Sequence, residues 1–209
     1  MDWMKQLISR YPELETCAPQ IEQAYSMLRA CYQSGGKVLV CGNGGSAADS
    51  EHIVGELMKG FMLKRPVAPV LRQKLYSDWP EQGAYLADHL QGGLPAISLV
   101  SHSALVFAFN NDVASDMVFA QQVNGYGRPG DVLWGISASG NAVNVANAVR
   151  VARSLGLKTL GLTGMTGGLL KTVAEVTICV PGGSVPEVQE RHLPVYHTLC
   201  QMLEEAFFS

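Results

Sequence analysis

The sequence lacks the features that define several common classes of protein. It contains no run of 18 apolar residues, and residues 1–30 lack the basic and apolar regions of a signal peptide. Charged residues make up only 16% of the 209 residues, the net charge is −3, and no basic run occurs. We therefore expect neither a membrane nor a nucleic acid to be a partner of this protein.

The five cysteines are odd in number and show no CxxC spacing. Cys41 and Cys179 lie within apolar, strand-like runs, which favours buried free thiols over disulfides or a metal site. Free thiols are typical of a reducing compartment, so we expect a cytoplasmic protein.

Hydrophobic residues make up 47% of the chain, and they alternate between two patterns. Five short, continuously apolar runs read as strands buried on both faces of a parallel sheet. These runs are 37–41, 95–100, 131–136, 158–162 and 176–180. Helical patterns cover 18–34, 45–60, 103–109, 115–124, 141–155 and 186–207. The alternation predicts one α/β domain over residues 1–209, a three-layer αβα sandwich around a five-stranded parallel sheet.

Residues 66–94 interrupt this rhythm with several prolines and a predicted helix at 82–91. About 28 residues is too long for an ordinary connection, and insertions of this size tend to be functional. The helices predicted at 18–34 and 186–207 carry more apolar positions than one αβα layer can bury. We therefore expect the chain to form a homo-oligomer through helices.

A glycine-rich turn, Gly42-Asn43-Gly44-Gly45-Ser46, joins the first predicted strand to a helix. Closely approaching backbone N–H groups at a helix start make an anion site. The turn also fits the dinucleotide fingerprint GxGxxG/A, but no second strand ending in Asp or Glu follows about 20 residues later. We therefore expect no nucleotide cofactor.

The third predicted strand leads into a second such turn, Ser137-Ala138-Ser139-Gly140-Asn141. One hydroxyl or amide at a helix start would be an ordinary cap. This loop offers more donors than a cap needs, and it follows the carboxyl end of a strand, where open α/β sheets bind ligands. The loop therefore predicts a site for a phosphate monoester.

Two polar pairs interrupt predicted core helices: His52 with Glu56, and Gln189 with His197. The first pair lies one turn apart on one helix face. Imidazole, carboxylate and carboxamide groups suit either a divalent metal such as zinc or proton transfer. The second pair is separated by about 12 Å and 80° along a straight helix, so we expect a kink at Pro194 or a site shared between subunits. The alternative is a polar contact between helices.

Three other polar residues, Glu51, Glu190 and His192, are expected on helix surfaces. Asp49 lies in the first turn of its helix, where the helix dipole favours a carboxylate, and no chemistry is assigned to it.

Together these motifs resemble the SIS (sugar isomerase) family, most closely its phosphoheptose isomerases. The resemblance covers about 18–65 and 95–207. The matching segments are CGNGGSAADSEHIVGEL (41–57), Asn111-Asp112, GDVLWGISASGNAVNV (130–145), LGLTGMTGG (160–168) and VQERHLPVYHTL (188–199).

The resemblance implies an aldose–ketose isomerase acting on a phosphorylated sugar through an enediol, assembled as a homotetramer with active sites at subunit interfaces. It implies catalysis by Glu56 and His197. The implied metal ligands, most simply for zinc, are His52, Glu56, Gln189 and His197. The implied substrate contacts are Asn43, Gly44, Gly45, Ser46, Asp112, Ser137, Ala138, Ser139, Asn141 and Gln189. A sugar-phosphate-binding regulatory protein of the same family is the alternative; it would not need the four ligand residues.

This chain departs from the family pattern at several positions. Lys59-Gly60 stands where an Arg near the substrate is usual, and Pro186 stands where an Asp commonly precedes the Gln. The phosphate loop has Ala138 and Ala142 in place of hydroxyl residues, and the 66–94 insertion is an addition. These departures affect the identity of the sugar more than the enediol chemistry.

Overall fold

A computed structural model of the protein describes residues 2–209. Its centre is a five-stranded, all-parallel sheet in the order β2-β1-β3-β4-β5. The strands are β1 (Val38–Cys41), β2 (Ala96–Ser98), β3 (Val132–Ser137), β4 (Lys158–Gly164) and β5 (Val176–Val180). All five predicted strands are present, and most are continuously buried, as their apolar sequences require.

Ten α-helices surround the sheet within the described residues. They are α1 (Trp3–Arg10), α2 (Ala18–Gln33), α3 (Gly45–Met58), α4 (Pro69–Asp78), α5 (Gly83–His89), α6 (Ser103–Asp112), α7 (Val118–Tyr126), α8 (Val143–Ser154), α9 (Gly168–Val173) and α10 (Val185–Phe208). Two short 3₁₀ segments, Pro12–Cys17 and Ser115–Met117, precede α2 and α7.

The helices form two separate cores, one on each face of the sheet. Helices α1, α2, α3 and α10 contribute to the first core, and α7, α8 and α9 contribute to the second. This confirms the predicted αβα sandwich. Because the chain runs outward from β1 to β2 and then returns to β3 on the other side of β1, the strand order reverses between β1 and β3. Ligands of open α/β sheets bind at the carboxyl ends of the strands at such a reversal.

The insertion forms a pair of packed helices, α4 and α5. The helix predicted at 82–91 is present as α5, whereas α4 was not predicted. Pro66 and Pro69 make its sequence look like a loop. Pro69, however, occupies the start of the helix, where a backbone N–H would have no partner within the helix, so its absence costs nothing. Helices α1 and α9 were also not predicted. Helix α10 continues through Pro194 from Val185 to Phe208.

All five cysteines are free thiols, as expected from their spacing. None of the helices in residues 2–209 is both long and apolar enough to cross a lipid bilayer.

Candidate active site

Two glycine-containing loops meet at the strand-order reversal. The first follows β1 and enters α3 through Gly44, whose φ of +54° favours glycine. A side chain at Gly45 would overlap the carboxamide of Gln189, so a glycine here lets α10 approach the start of α3. Ser46, the next residue, is buried. The first loop thus lies against the N-terminal part of α10.

A reciprocal amide pair connects this loop to the second one. The Asn43 Nδ2 donates to Asn144 Oδ1 over 2.9 Å, and the Asn144 Nδ2 donates to Asn43 Oδ1 over 3.0 Å. Asn144 Oδ1 also accepts the N–H of Val145 near the start of α8. The turn after β1 and the helix start after β3 are therefore fixed side by side, as a ligand spanning both would require.

The second loop is shaped by its own polar groups. Asn141 N–H donates to Ser139 Oγ over 3.2 Å, and Asn141 Oδ1 accepts from Leu169 N–H over 3.0 Å. Gly140 has φ +71° and lies against the Gly167 backbone, where a Cβ would clash. Ser137 is buried at the end of β3, whereas Ser139 and Asn141 are exposed. The loop is closed on one side by α9 and offers hydroxyl and amide groups on the other.

Three of the predicted chemical residues converge between α3 and α10. His52 Nε2 lies 3.1 Å from Glu56 Oε1 and 3.5 Å from His197 Nε2. The two imidazole rings meet edge to face with their centroids 5.0 Å apart. The Glu56 side chain is 12% exposed and that of His52 is 43% exposed. Solvent therefore reaches the cluster from the His52 side while the carboxylate is largely enclosed.

Burial in the cluster favours a neutral His197. Burial and the neighbouring His52 lower the pKa of His197, and the nearby Glu56 opposes this shift. Lys59 Nζ donates to Glu56 Oε2 over 3.1 Å, so each carboxylate oxygen of Glu56 has a different partner. The sequence marked Lys59 only as a departure from the family; the structure places its ammonium group on the carboxylate.

His52 has a second polar partner on its other ring nitrogen. Its Nδ1 lies 3.0 Å from the hydroxyl of Tyr196, which in turn donates to Asp49 Oδ1 over 3.3 Å. Sequence reasoning missed Tyr196 and assigned no chemistry to Asp49. The available signals were the position of Asp49, three residues before His52 on the same helix face, and the polar hydroxyl directly beside His197.

A buried ion pair fixes the end of α3 against α10. Arg65 Nε donates to Glu204 Oε1 over 2.7 Å, and its other nitrogens donate to the carbonyls of Glu56 and Leu57 at 3.1 and 2.7 Å. Glu204 also accepts three backbone N–H groups. These come from Phe61, Met62 and Leu63. The turn that carries Glu56 is therefore held directly by a fully buried guanidinium.

Two predicted site residues lie outside the cluster. Gln189 lies beside Gly45, about two helical turns before His197, so in one chain it faces the first loop. Asp112 ends α6 in an exposed position, where it accepts a hydrogen bond from Asn111 Nδ2 at 2.8 Å.

The expectation that His192 lies on a helix surface is wrong. His192 is fully buried because it continues the apolar stripe of Val188, Val195 and Leu199 on α10. Burial lowers its pKa to about 4, an effect that the nearby Thr163 backbone slightly opposes. Glu51 and Glu190 are exposed, as predicted.

A parallel sheet with glycine-containing loops at its strand-order reversal, and with a carboxylate and two imidazoles on the adjoining α3 and α10, is the arrangement expected for a sugar-isomerase domain. The SIS domain model matches residues 2–77 and 86–164, leaving out part of the helical insertion and residues 165–209. The chain therefore belongs to the SIS domain family, and the resemblance seen in its sequence is confirmed.

Relatives similar over nearly the full chain are phosphoheptose isomerases. The chain is 37% identical to the phosphoheptose isomerase of Rhodospirillum rubrum over 196 residues, 94% of this chain and 90% of the relative. The phosphoheptose isomerase structure from Neisseria gonorrhoeae is 30% identical, has a TM-score of 0.73, and covers 95% of this chain and 94% of its own. The Francisella tularensis phosphoheptose isomerase has a TM-score of 0.74 at 29% identity, covering 96% and 94%. The chain is an isomerase.

Proposed function

We propose that this enzyme interconverts sedoheptulose 7-phosphate and an aldose heptose 7-phosphate through an enediolate. The observation that carries the proposal is the convergence of Glu56, His52 and His197 between α3 and α10. The names of the relatives, phosphoheptose isomerases, support the choice of a seven-carbon substrate.

Isomerisation moves two protons, and the cluster provides a group for each. In the aldose-to-ketose direction, the carboxylate of Glu56 takes the proton from C2, which gives an enediolate, and returns it to C1. His197 transfers the hydroxyl proton from O2 to O1. Burial and the neighbouring His52 lower the pKa of this imidazole, which favours its neutral, proton-accepting form.

The remaining groups hold the substrate and its developing charge. We assign the phosphate to the 137–141 loop and the adjacent start of α8, because hydroxyls and helix N–H groups are suited to hold an anion. Asn43 is paired with Asn144 near the start of α8, and Ser46 lies in the first turn of α3, the helix that carries His52 and Glu56. The ammonium group of Lys59, 3.1 Å from Glu56, supplies a positive charge beside the site of proton transfer.

We further propose that the cluster binds zinc through His52, Glu56, Gln189 and His197. Two imidazole nitrogens and a carboxylate oxygen are ligands that zinc prefers, and neighbouring donors among them lie 3.1 and 3.5 Å apart. When bound, the metal would supply positive charge that polarises the substrate oxygens. Within residues 2–209 no group of three or more His, Cys, Asp or Glu side chains is placed to hold a metal ion, and Gln189 faces the first loop. The donor types fit zinc but their placement in one chain does not, so binding requires a rearrangement of these side chains or a second subunit.

Metal content tests this part of the proposal directly. Purified protein is incubated with zinc, passed through gel filtration and analysed for metal. We expect zinc in the wild type and in His89→Ala, an exposed control on α5, and much less in His52→Ala. Zinc retained equally by His52→Ala would remove these residues as ligands.

We propose a homotetramer whose active sites lie at subunit interfaces, and a cytoplasmic location. Exposed apolar side chains near the cluster support the interface: Met62 is 60% exposed and Leu193 is 41% exposed, and both line a groove with His197. On α6, Phe107 is 75% exposed. The five free thiols support a reducing compartment. Sedimentation that finds a monomer at micromolar concentration would contradict the shared site.

The isomerase activity is tested by incubating the enzyme with sedoheptulose 7-phosphate in D₂O. We expect the aldose to form and solvent deuterium to enter at the exchanged carbon, both followed by NMR. Fructose 6-phosphate and ribulose 5-phosphate serve as shorter ketose phosphates. Faster turnover of either would move the proposal to another sugar phosphate, and no turnover of any would contradict it.

A further inference from the structure

We propose that Gln91, near the end of the 66–94 insertion, is a positioning residue for Lys59 and acts through the backbone of Gly60. The inference rests on the proposed function for the use made of the Lys59 ammonium group beside Glu56. The contacts that place this group belong to the protein itself, and they can be tested without a substrate.

The carbonyl of Gly60 is one of two anchors for the Lys59 side chain. Lys59 Nζ donates to the Gly60 carbonyl oxygen over 3.2 Å and to Glu56 Oε2 over 3.1 Å. The Lys59 side chain is 60% exposed, so the surrounding packing does little to hold it. Because a lysine side chain is long and flexible, these two hydrogen bonds determine where its ammonium group lies.

Gln91 holds the same glycine from its N–H side. Gln91 Oε1 accepts the Gly60 N–H at a donor–acceptor distance of 2.6 Å. A Cβ at Gly60 would lie 2.5 Å from the carbonyl oxygen of Leu63 and 3.1 Å from Gln91 Oε1, so a glycine is what allows this close approach. Gln91 and Lys59 therefore bind the N–H and the carbonyl of one residue that has little room to move.

The backbone that carries Gln91 is itself fixed at the base of the insertion. Gln91 pairs with Pro66 in an isolated antiparallel bridge, and the Gly92 N–H donates to the carbonyl of Arg65 over 2.6 Å. A Cβ at Gly92 would lie 2.7 Å from the ring of Phe208, which also packs on the Arg65 guanidinium. The two ends of the insertion are thus joined to each other, and Gln91 reaches Gly60 from a fixed position.

The consequence lies in the reaction rather than in substrate binding. Formation of an enediolate places negative charge on substrate oxygens beside Glu56, and a cation that is already in place stabilises this charge without reorganisation. The Lys59 ammonium group therefore acts mainly in the transition state, so loosening it lowers kcat and leaves KM little changed. The insertion thus contributes to the reaction through one side chain at its base.

NMR spectra of the substrate-free protein test the contacts themselves. The two observables are the exchange rate of the Gly60 amide proton and the ¹H–¹³Cε signal of Lys59, which is identified by its absence in Lys59→Met. We expect Gln91→Ala to speed Gly60 exchange and to shift the Lys59 signal. Gln82→Ala, at an exposed glutamine of the same insertion, is the matched control and should change neither. An unchanged Gly60 exchange rate or an unchanged Lys59 signal in Gln91→Ala overturns the inference.

A double-mutant cycle tests the link to catalysis. With sedoheptulose 7-phosphate, Gln91→Ala should lower kcat about 2- to 10-fold, as expected for one lost hydrogen bond, and Lys59→Met about 10²-fold. In the Lys59→Met background, Gln91→Ala should cost nothing further, because its effect passes through Lys59. Equal losses in both backgrounds, or a raised KM with kcat unchanged, overturn the inference. If the wild type turns over no sugar phosphate, the proposed function fails while the NMR result still decides whether Gln91 places Lys59.

Discussion

Two polar contacts join α3 to α10, and they differ in burial and in the kind of groups that they pair. At the end of α3, Arg65 and Glu204 are fully buried and bind each other, two carbonyls and three backbone N–H groups. Seven residues earlier on α10, His197 lies beside His52 with their Nε2 atoms 3.5 Å apart. The first, saturated contact is closed to solvent, whereas the second, the histidine contact, is partly open on the His52 side and consists of side chains that can gain or lose a proton.

One contact between these two helices stabilises the fold, and the other contains the residues proposed to carry out the reaction. A buried ion pair is tolerable only when additional hydrogen bonds satisfy it, and Arg65 with Glu204 meets that condition. Contacting titratable side chains that remain partly open to solvent are typical of reaction sites, which agrees with the function proposed for the histidine contact. The saturated contact holds the end of α3 beside it, because Arg65 binds the carbonyl of Glu56 itself.

The largest effect is expected from removing the carboxylate of Glu56, the proposed base. Glu56→Gln keeps the size of the side chain but cannot accept a proton, so turnover should fall by about 10²- to 10⁴-fold. Binding of the sugar phosphate, measured by calorimetry, should change little. Glu51→Gln, on the same helix but exposed, is the control and should retain its turnover. Near-normal turnover in Glu56→Gln would exclude Glu56 as the base.

Breaking the saturated contact should instead reduce stability. Arg65→Met leaves the Glu204 carboxylate buried without its partner, and the free energy of unfolding should fall by about 3–5 kcal/mol in urea titrations. The double variant Arg65→Met/Glu204→Met removes the uncompensated charge and should recover part of this loss. If the double variant is no more stable than Arg65→Met, the ion pair is not what the buried guanidinium contributes.

The fold could be predicted from the sequence, and so could the pairing of His52 with Glu56 in the cluster. Buried parallel strands have continuous apolar runs, and all five were recognised. His52 and Glu56 lie on one helix face whatever the tertiary structure, because four residues make about one turn. The two loops follow strands, so their placement at one edge of the sheet follows from topology.

The rest depended on packing between distant segments. Arg65 and Glu204 are 139 residues apart, and His52 and His197 are 145 apart, so neither pair has a local signal. His192 is polar, and this favours a surface position. Its place in the apolar stripe of α10 instead determines that it is buried. For Gln189 and His197 the spacing predicts a kink at Pro194 or a site shared between subunits; α10 continues through Pro194, and Gln189 lies beside Gly45 rather than in the cluster.

A smaller effect is expected from the phosphate loop, which neither contact between α3 and α10 includes. Ser137→Ala combined with Ser139→Ala removes two hydroxyls, each worth roughly 0.5–1.5 kcal/mol and more against a charged acceptor. Calorimetry should show weaker binding of sedoheptulose 7-phosphate and no change for sedoheptulose. Ser154→Ala, at the far end of α8, is the control. An equal loss for both sugars would mean that the loop does not hold the phosphate.

The smallest effect concerns His192. This residue lies on α10 between Gln189, which contacts the first loop, and His197, which belongs to the cluster with His52 and Glu56. It is fully buried like Arg65, yet neither of its ring nitrogens has a hydrogen-bond partner among residues 2–209. Burial lowers its pKa from 6.5 to about 4. The unfolded chain therefore binds the proton first as pH falls, and stability is lost between about pH 6.5 and 4. From pH 7 to 5 this one group should reduce the free energy of unfolding by about 2 kcal/mol.

His192→Gln cannot gain that charge, so its urea-unfolding free energy should change less over this range than that of the wild type or of the exposed control His89→Gln. Parallel pH curves for all three proteins would show that His192 is not buried in its neutral form, and that the helix is more open there than its packing indicates.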